Sequence, residues 1–223
     1  MPVIVLTDKY LVESQVSIES FETSRMKIER GNLITGQYQG TGEYMKYELT
    51  ETGVSPRALP STKGAIIRAN ADEYDEFGFT SEDPMMTVSM IQKRQKKLAF
   101  LAKELEEKKI ETTKLYGPEK ATATIVSWGG TKGPIREALK LLKRDGVVAN
   151  YLQIIYLHPF PVERVKKVLN NTSKAIVVEH NRTSQLSSLI REYLLRDADY
   201  TILKYDGRPF SPAYLVAKVK EVL

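Results

Sequence analysis

Thr124-Ile125-Val126-Ser127-Trp128-Gly129-Gly130 is the stretch whose reading decides the fold. A short apolar run stopped by two glycines predicts a buried strand entering a tight turn. Ile135, Ala138, Leu139 and Leu142 follow at helical spacing, so the turn opens a helix that ends near Gly146. The order repeats. Tyr151–Leu157 is a second strand, closed by Pro159 and Pro161, and Val162, Val165, Val168 and Leu169 mark the next helix. Ala175–Val178 is a third strand, followed by a helix facing inward through Leu186, Leu189, Ile190, Tyr193 and Leu194. Thr201–Leu203 and a last helix with Leu215, Val219, Val222 and Leu223 complete the series. Strands alternating with amphipathic helices predict an α/β domain over 119–223, a mostly parallel sheet with helices on both faces.

The first 118 residues read as a less regular α+β linker region behind a short terminal zone. In residues 1–25, Pro2-Val3-Ile4-Val5-Leu6 has the continuous apolar character of a strand buried on both faces. It reads either as the end of a domain whose earlier part lies upstream, or as an extra strand of the C-terminal sheet. Within 26–118, Tyr44–Leu49 and Ala65–Ala69 are candidate strands. Between them, Pro56 and Pro60 stiffen the segment Gly53–Pro60. A long helix is predicted over 84–109, with Asp83 as N-cap and Pro84 in the first turn. Its residues Val88, Ile91, Leu98, Leu101 and Leu105 share one face, expected to cover its own domain or a partner.

Composition removes several chemistries. With no cysteine among 223 residues there is no disulfide, no thiolate nucleophile and no cysteine-ligated cluster or zinc. Two histidines, His158 and His180, are too few for a His-rich metal centre. The formal charge of +5 is spread over interleaved Lys and Glu, and the run Lys93-Arg94-Gln95-Lys96-Lys97 reads as a solvated helix face. No basic stripe alternates with aromatics, so nucleic acid is not the expected partner. No run approaches the roughly 18 apolar residues of a membrane span. The N-terminus lacks the features of a secretory leader, which makes a cytoplasmic location the default expectation.

Few residues carry candidate chemistry. Gly129-Gly130-Thr131-Lys132-Gly133 stands where phosphates are cradled, yet it matches neither the P-loop nor the dinucleotide fingerprint, and a turn for close strand–helix packing explains it as well. Glu179-His180-Asn181-Arg182 lies past the third strand, where open α/β sheets place ligand crevices. Glu179 with His180 reads as an acid–base pair or, more simply, as part of a helix-capping network with Asn181 or Ser184. His158, held before Pro159, reads as a hydrogen-bonded loop residue. Arg57, between two prolines, is suited to an anion, a partner chain or an internal salt bridge.

Together these segments resemble the α subunit of 2-oxoacid:ferredoxin oxidoreductases of the 2-oxoglutarate type. Pro2–Leu11 is similar to the last strand and turn of that family's pyrimidine-side thiamine diphosphate domain. Tyr47–Pro60, with Thr50-Glu51-Thr52-Gly53-Val54-Ser55-Pro56-Arg57, resembles its characteristic linker and is the most specific match. Asp83-Pro84 and Leu115-Tyr116-Gly117-Pro118 resemble the lead-in to the next domain. Trp128–Thr131, Tyr156–Pro161 and Glu179–Leu186 resemble its transketolase C-terminal-type domain. Two positions depart from the family pattern, with Ser61 and Ser184 standing where glycine is usual. A positive φ at either would strain a serine.

The resemblance implies an enzyme that decarboxylates a 2-oxoacid, forms an acyl-CoA and passes electrons to ferredoxin. Thiamine diphosphate, Mg2+ and an iron–sulfur cluster are implied for the whole enzyme, through segments upstream of Met1 and the β subunit. None is expected to bind this chain alone, and no catalytic, cofactor-binding or metal-ligating residue is assigned to it. The implied partners are the β subunit and the remainder of the α subunit. This portion is expected to serve assembly and inter-subunit packing, with Arg57, His158, Glu179, Asn181 and Gln185 as candidate interface or anion contacts. A non-catalytic partner-binding domain and a nucleotide-binding protein using the Gly129–Gly133 turn remain the alternatives.

Overall fold

Strand β2, Ala121–Trp128, carries five consecutive buried residues, Ala123–Ser127. In a computed structural model, which describes residues 2–24 and 26–223, the chain forms two compact units, Met1–Ser17 with Lys109–Leu223 and Ile18–Lys108. The first unit is built on a five-stranded sheet centred on β2. Its other strands are β1 (Thr113–Tyr116), β3 (Ala149–Ile154), β4 (Thr172–Glu179) and β5 (Tyr200–Leu203), in the order β1-β3-β2-β4-β5. The pairs β2–β3, β2–β4 and β4–β5 are parallel, and only β1 runs antiparallel, against β3. The α/β fold read from the sequence is therefore the one observed. Because β1 joins this sheet, the unit resumes at Lys109, ahead of the boundary at 119.

Burial on both faces of β2 dictates the layers. Ala123 and Ile125 pack with Ile176 and Val178 against helix α3 (Lys132–Arg144) and helix α6 (Pro212–Val222), through Ile135, Ala138, Leu142, Leu215 and Val219. Val126, from the opposite side of the pleat, packs with Leu152, Ile154 and Val177 against helices α4 (Val162–Leu169) and α5 (Gln185–Leu194), through Val165, Leu169, Leu186 and Ile190. Each buried Val, Leu or Ile among them contributes about 1.5–3 kcal/mol, so both layers help to hold the sheet.

The terminal zone differs from expectation. Pro2–Leu6 is in no strand, and Val3, Ile4 and Val5 are 87%, 82% and 80% exposed. Apolar continuity signals an intent to be buried but supplies no neighbour, and no strand of the sheet pairs with this run. The structured part of the zone is a short helix α1, Lys9–Glu13, capped by Asp8. Met1 and Arg25, the outer bounds of this zone, lie outside the described residues.

The second unit contains helix α2, Pro84–Glu107, with Asp83 capping the backbone N–H groups of Met85 and Met86 as predicted. The helix ends two residues before the expected 109; Lys109 has a positive φ of 53°. The expected stripe is covered only in part, with Leu98, Leu101 and Leu105 half-buried. Met90 and Lys93 are buried, with Met86 and Lys97 half-buried beside them, whereas Val88 and Ile91 are each 46% exposed. The covered face is rotated by roughly a quarter turn at 100° per residue. The cause is Gly53 (φ 74°), which lies so close to the α2 backbone that an added Cβ would overlap the Lys93 carbonyl oxygen. The solvated-face reading of the basic run is thus corrected at Lys93.

The candidate strands at Tyr44–Leu49 and Ala65–Ala69 are absent. The unit is instead tied by isolated bridges such as Leu33–Arg57 and by side-chain to backbone hydrogen bonds. Buried Tyr44 donates its hydroxyl to the Pro56 carbonyl (2.9 Å) and accepts from the Ala58 N–H (2.8 Å). Prolines leave a segment short of donors, and a tyrosine hydroxyl replaces a strand partner here.

Ser61 and Ser184 both adopt positive φ, 72° and 52°. The left-handed region costs a non-glycine residue about 1–2 kcal/mol, and glycine's greater freedom in the unfolded chain takes back about 0.4–1 kcal/mol. Ser61→Gly is therefore expected to stabilise by about 0.5–1 kcal/mol in denaturant melts. Ser184→Gly gains less, because the Ser184 hydroxyl also donates to Glu179 (3.2 Å).

Candidate functional site

Sheet order places one crevice in the first unit. The connection leaving β2 leads to β3 on one side, and the connection leaving β4 leads to β5 on the other. Their carboxyl ends, Trp128–Gly130 and Glu179–Asn181, therefore flank the topological switch point where open α/β sheets bind ligands. Both motifs singled out in the sequence converge there.

Glu179 is 1% exposed and occupied as a cap. Its carboxylate accepts from the Leu186 N–H at 2.9 and 3.0 Å and from the Ser187 N–H at 3.4 Å, the first turn of α5. Asn181 Nδ2 (2.7 Å), Ser184 Oγ (3.2 Å) and Trp128 Nε1 (3.4 Å) also donate to it. With these donors around both of its oxygens, the carboxylate is engaged by the protein itself. The capping network expected there is present, with Glu179 as the cap itself and Asn181 and Ser184 as its supports. Gln185 is exposed, and its backbone N–H donates to Asn181 Oδ1 at 3.4 Å.

The glycine turn is also occupied from within. Asp8 Oδ2 accepts from the Gly130 N–H at 2.9 Å, while Asp8 Oδ1 accepts from the Leu11 N–H at 2.9 Å. One carboxylate thus caps α1 and fills the anion-attracting position at the turn. A Cβ on Gly130 would overlap it, so the glycine serves close approach, as its packing reading expects. Behind the turn, Ser127 Oγ donates to the Val178 carbonyl (2.6 Å) and Thr131 Oγ1 to the Trp128 carbonyl (2.9 Å). Asp8 went unremarked in the sequence although it stands before Lys9-Tyr10-Leu11 as an N-cap would. Its contact with Gly130 spans 122 residues and leaves no local signal.

His180 packs on Phe210, ring centroids 4.6 Å apart. Burial pushes its imidazole below the ordinary histidine value, with the charge of Asp8, the Lys204 backbone and Asp206 pulling the other way and the Lys204 charge adding to the depression. Glu179 is turned into the α5 cap, so these two residues do not form the acid–base pair considered from sequence. His158 is exposed, hydrogen-bonds to no other described residue, and precedes a cis peptide bond to Pro159. Arg57 is exposed and makes no salt bridge among the described residues, although its backbone is held on both sides, N–H to the Asn32 carbonyl (2.8 Å) and carbonyl to the Ile34 N–H (2.9 Å).

The donor set does not suit the cofactors considered. A diphosphate at the Gly129–Gly133 turn would face the Asp8 carboxylate, and no group of three or more metal-ligating side chains occurs among the described residues. The absence of cysteine leaves no thiolate for an iron–sulfur cluster. No helix among the described residues is long and apolar enough to cross a membrane.

Comparison with known proteins follows the same lines. Residues 121–213 match the family described as pyruvate:ferredoxin oxidoreductase core domain II. The chain is 37% identical over its whole length to 2-oxoacid:ferredoxin oxidoreductase 2, subunit alpha, of Aeropyrum pernix, covering 34% of that protein. It is 36% identical over 94% of its length to the corresponding subunit 1 alpha of Sulfurisphaera tokodaii, covering 32%. Among solved structures, 2-oxoglutarate:ferredoxin oxidoreductase from Magnetococcus marinus, determined with 2-oxoglutarate, coenzyme A and succinyl-CoA bound, superposes with a TM-score of 0.72 at 30% identity. That match covers 84% of this chain and 32% of the other. The chain spans about a third of the length of the curated relatives it matches.

Two outcomes test this site. Glu179→Ala leaves the first turn of α5 uncapped inside the protein and is expected to cost about 3 kcal/mol in denaturant melts, with Glu179→Gln costing less. For His180, a folded-state pKa below the unfolded value of about 6.5 means that the unfolded chain binds the proton more readily. Stability is then expected to fall as pH drops from about 7 through that window. His180→Gln should flatten that slope in melts between about pH 5 and 7.5.

Proposed function

The chain belongs to the α-subunit family of 2-oxoacid:ferredoxin oxidoreductases, of which it is a portion, and from that premise we propose that it serves assembly rather than chemistry. The enzyme it belongs to would oxidatively decarboxylate a 2-oxoacid to an acyl-CoA and hand the electrons to ferredoxin. Thiamine diphosphate, Mg2+ and the iron–sulfur cluster of that enzyme would be held by the rest of the α subunit and by the β subunit. Residues 109–223, with the helix capped by Asp8, act as the packing domain of the subunit and 18–108 as its linker, and Pro2–Leu6 would gain from the rest of the α subunit the strand partners it lacks here.

The observation that carries this reading is the state of the switch-point crevice. Its two polar positions are filled by the chain's own carboxylates, Asp8 on Gly130 and Glu179 on α5, so the place where this fold class usually binds ligand is used for cohesion. Arg57 supports the interface role. Its backbone is fixed by two hydrogen bonds and by the Tyr44 hydroxyl on its neighbours, while its exposed side chain meets no counter-charge among the described residues. A pre-organised, unpaired arginine is the residue type that anchors interfaces through bidentate carboxylate contacts. His158, Asn181 and Gln185 are the lesser candidates on the first unit.

The chain alone is expected to give no turnover with 2-oxoacid, coenzyme A and a viologen acceptor. Co-expressed with the remainder of the α subunit and the β subunit, it should be recovered in one active complex. Arg57→Ala should weaken that recovery at least tenfold while shifting the melting temperature of the isolated chain by less than about 1 °C, the ordinary result for an exposed residue. Turnover by the isolated chain would refute the proposal.

A further inference from the structure

Residues 2–17 are attached to the first unit by very little. All of them are exposed except Asp8, which is half-buried, and helix α1 contains no buried residue. Tyr10, Leu11 and Val12 are 57%, 48% and 69% exposed, so the apolar side chains of the helix cover little. A five-residue helix is too short to hold itself in water, and ordering it costs conformational entropy that packing ordinarily offsets. Among the described residues, one hydrogen bond joins this stretch to the rest of the unit, from the Gly130 N–H to Asp8 Oδ2. The other oxygen of the same carboxylate accepts from the Leu11 N–H. Forming the helix and seating it on the turn are therefore one event.

The seat is shaped for this carboxylate. Gly130 does not have a positive φ, so its backbone conformation does not call for glycine. The three atoms nearest to a Cβ added there all belong to the Asp8 carboxyl group, so Asp8 itself is what excludes a side chain. The charge of Asp8 also reaches His180, on the opposite lip of the crevice. We propose that the switch-point crevice is a socket onto which the rest of the α subunit docks, with Asp8 as the residue that positions it. The inference rests on the assembly reading above and adds where the contact is made. The relatives are about three times as long as this chain, and Pro2–Leu6, the run that would pair with that further chain, ends two residues before Asp8. Once strand partners hold Pro2–Leu6, the entropy of ordering Asp8 is already lost, and the carboxylate seats on Gly130 more firmly than in the separate chain. By linkage, a seat that tightens on assembly strengthens assembly by the same factor. Tyr10, Leu11 and Val12 form the apolar edge of the same contact.

Hydrogen exchange at the Gly130 amide reads the seat directly, in the full chain and in the complex co-expressed with the remainder of the α subunit and the β subunit. Exchange should slow about tenfold or more on assembly, a measurement that needs no substitution. Asp8→Ala should abolish the slowing. Asp8→Ala and Gly130→Ala should each lower recovery of the chain in the complex by about tenfold, the loss of one charge-assisted hydrogen bond. The double variant should lose no more than either single one, because both remove the same contact. Neither residue belongs to the core clusters, so both isolated variants should melt within about 2 °C of the unsubstituted chain. Exchange that is unchanged on assembly, a double variant whose loss is the product of the two single losses, or full recovery of both single variants would overturn the socket and leave the assembly reading intact. Failure of the unsubstituted chain to enter a complex would remove that reading, and the socket with it.

Discussion

The requirement that β2 be covered on both faces governs the first unit. Ile125 and Val126 are adjacent in sequence, both fully buried, and face opposite layers of the protein. A strand with no solvent side cannot sit at an edge or in a hairpin. It needs a strand on each flank and a helix layer above and below, which is what β3, β4 and the pairs α3/α6 and α4/α5 provide. The switch point then follows from topology, because connections from the central strands must leave in opposite directions. Its position at Trp128–Gly130 and Glu179–Asn181 is a consequence of how β2 is buried.

Polar groups at that switch point are arranged by the same economy of donors. Helix α5 begins inside the protein, so its first N–H groups cannot reach water and need an acceptor. Glu179, the last residue of β4, is in place to supply it, and the carboxylate is in turn satisfied by Asn181, Ser184 and Trp128. Ser184 accepts a left-handed backbone as part of this arrangement. The turn at Gly130 presents another free N–H, and Asp8 meets it.

What was legible in the sequence follows from how local each cause is. The four parallel strands and their helices could be read from apolar runs and helical spacing, because residues within one element report its burial. Strand β1 was not read, since Thr113–Tyr116 is four residues long, half-buried and antiparallel at the sheet edge. The buried face of α2 was misjudged for a different reason. Five apolar side chains define a stripe, but Gly53 decides which face is approached, and a glycine acts through the side chain it lacks. The strain at Ser61 in the second unit, and at Ser184 beside the crevice, was foreseeable once glycine was known to be usual at both. The joining of Asp8 to Gly130 was not, because each half is unremarkable alone.

The three ionisable groups that matter most differ in where their compensation comes from. Glu179 and Asp8 are acceptors, and a chain rich in helix and turn N-termini has backbone donors to spare for them. Lys93 is a donor in the middle of a helix, where every carbonyl is already engaged by the N–H four residues on. Its stem is buried while its ammonium keeps contact with solvent, where Glu76 and Glu48 act on it. Carboxylates at strand ends are thus absorbed into cohesion, whereas a lysine at mid-helix buries its stem and leaves its charge to water.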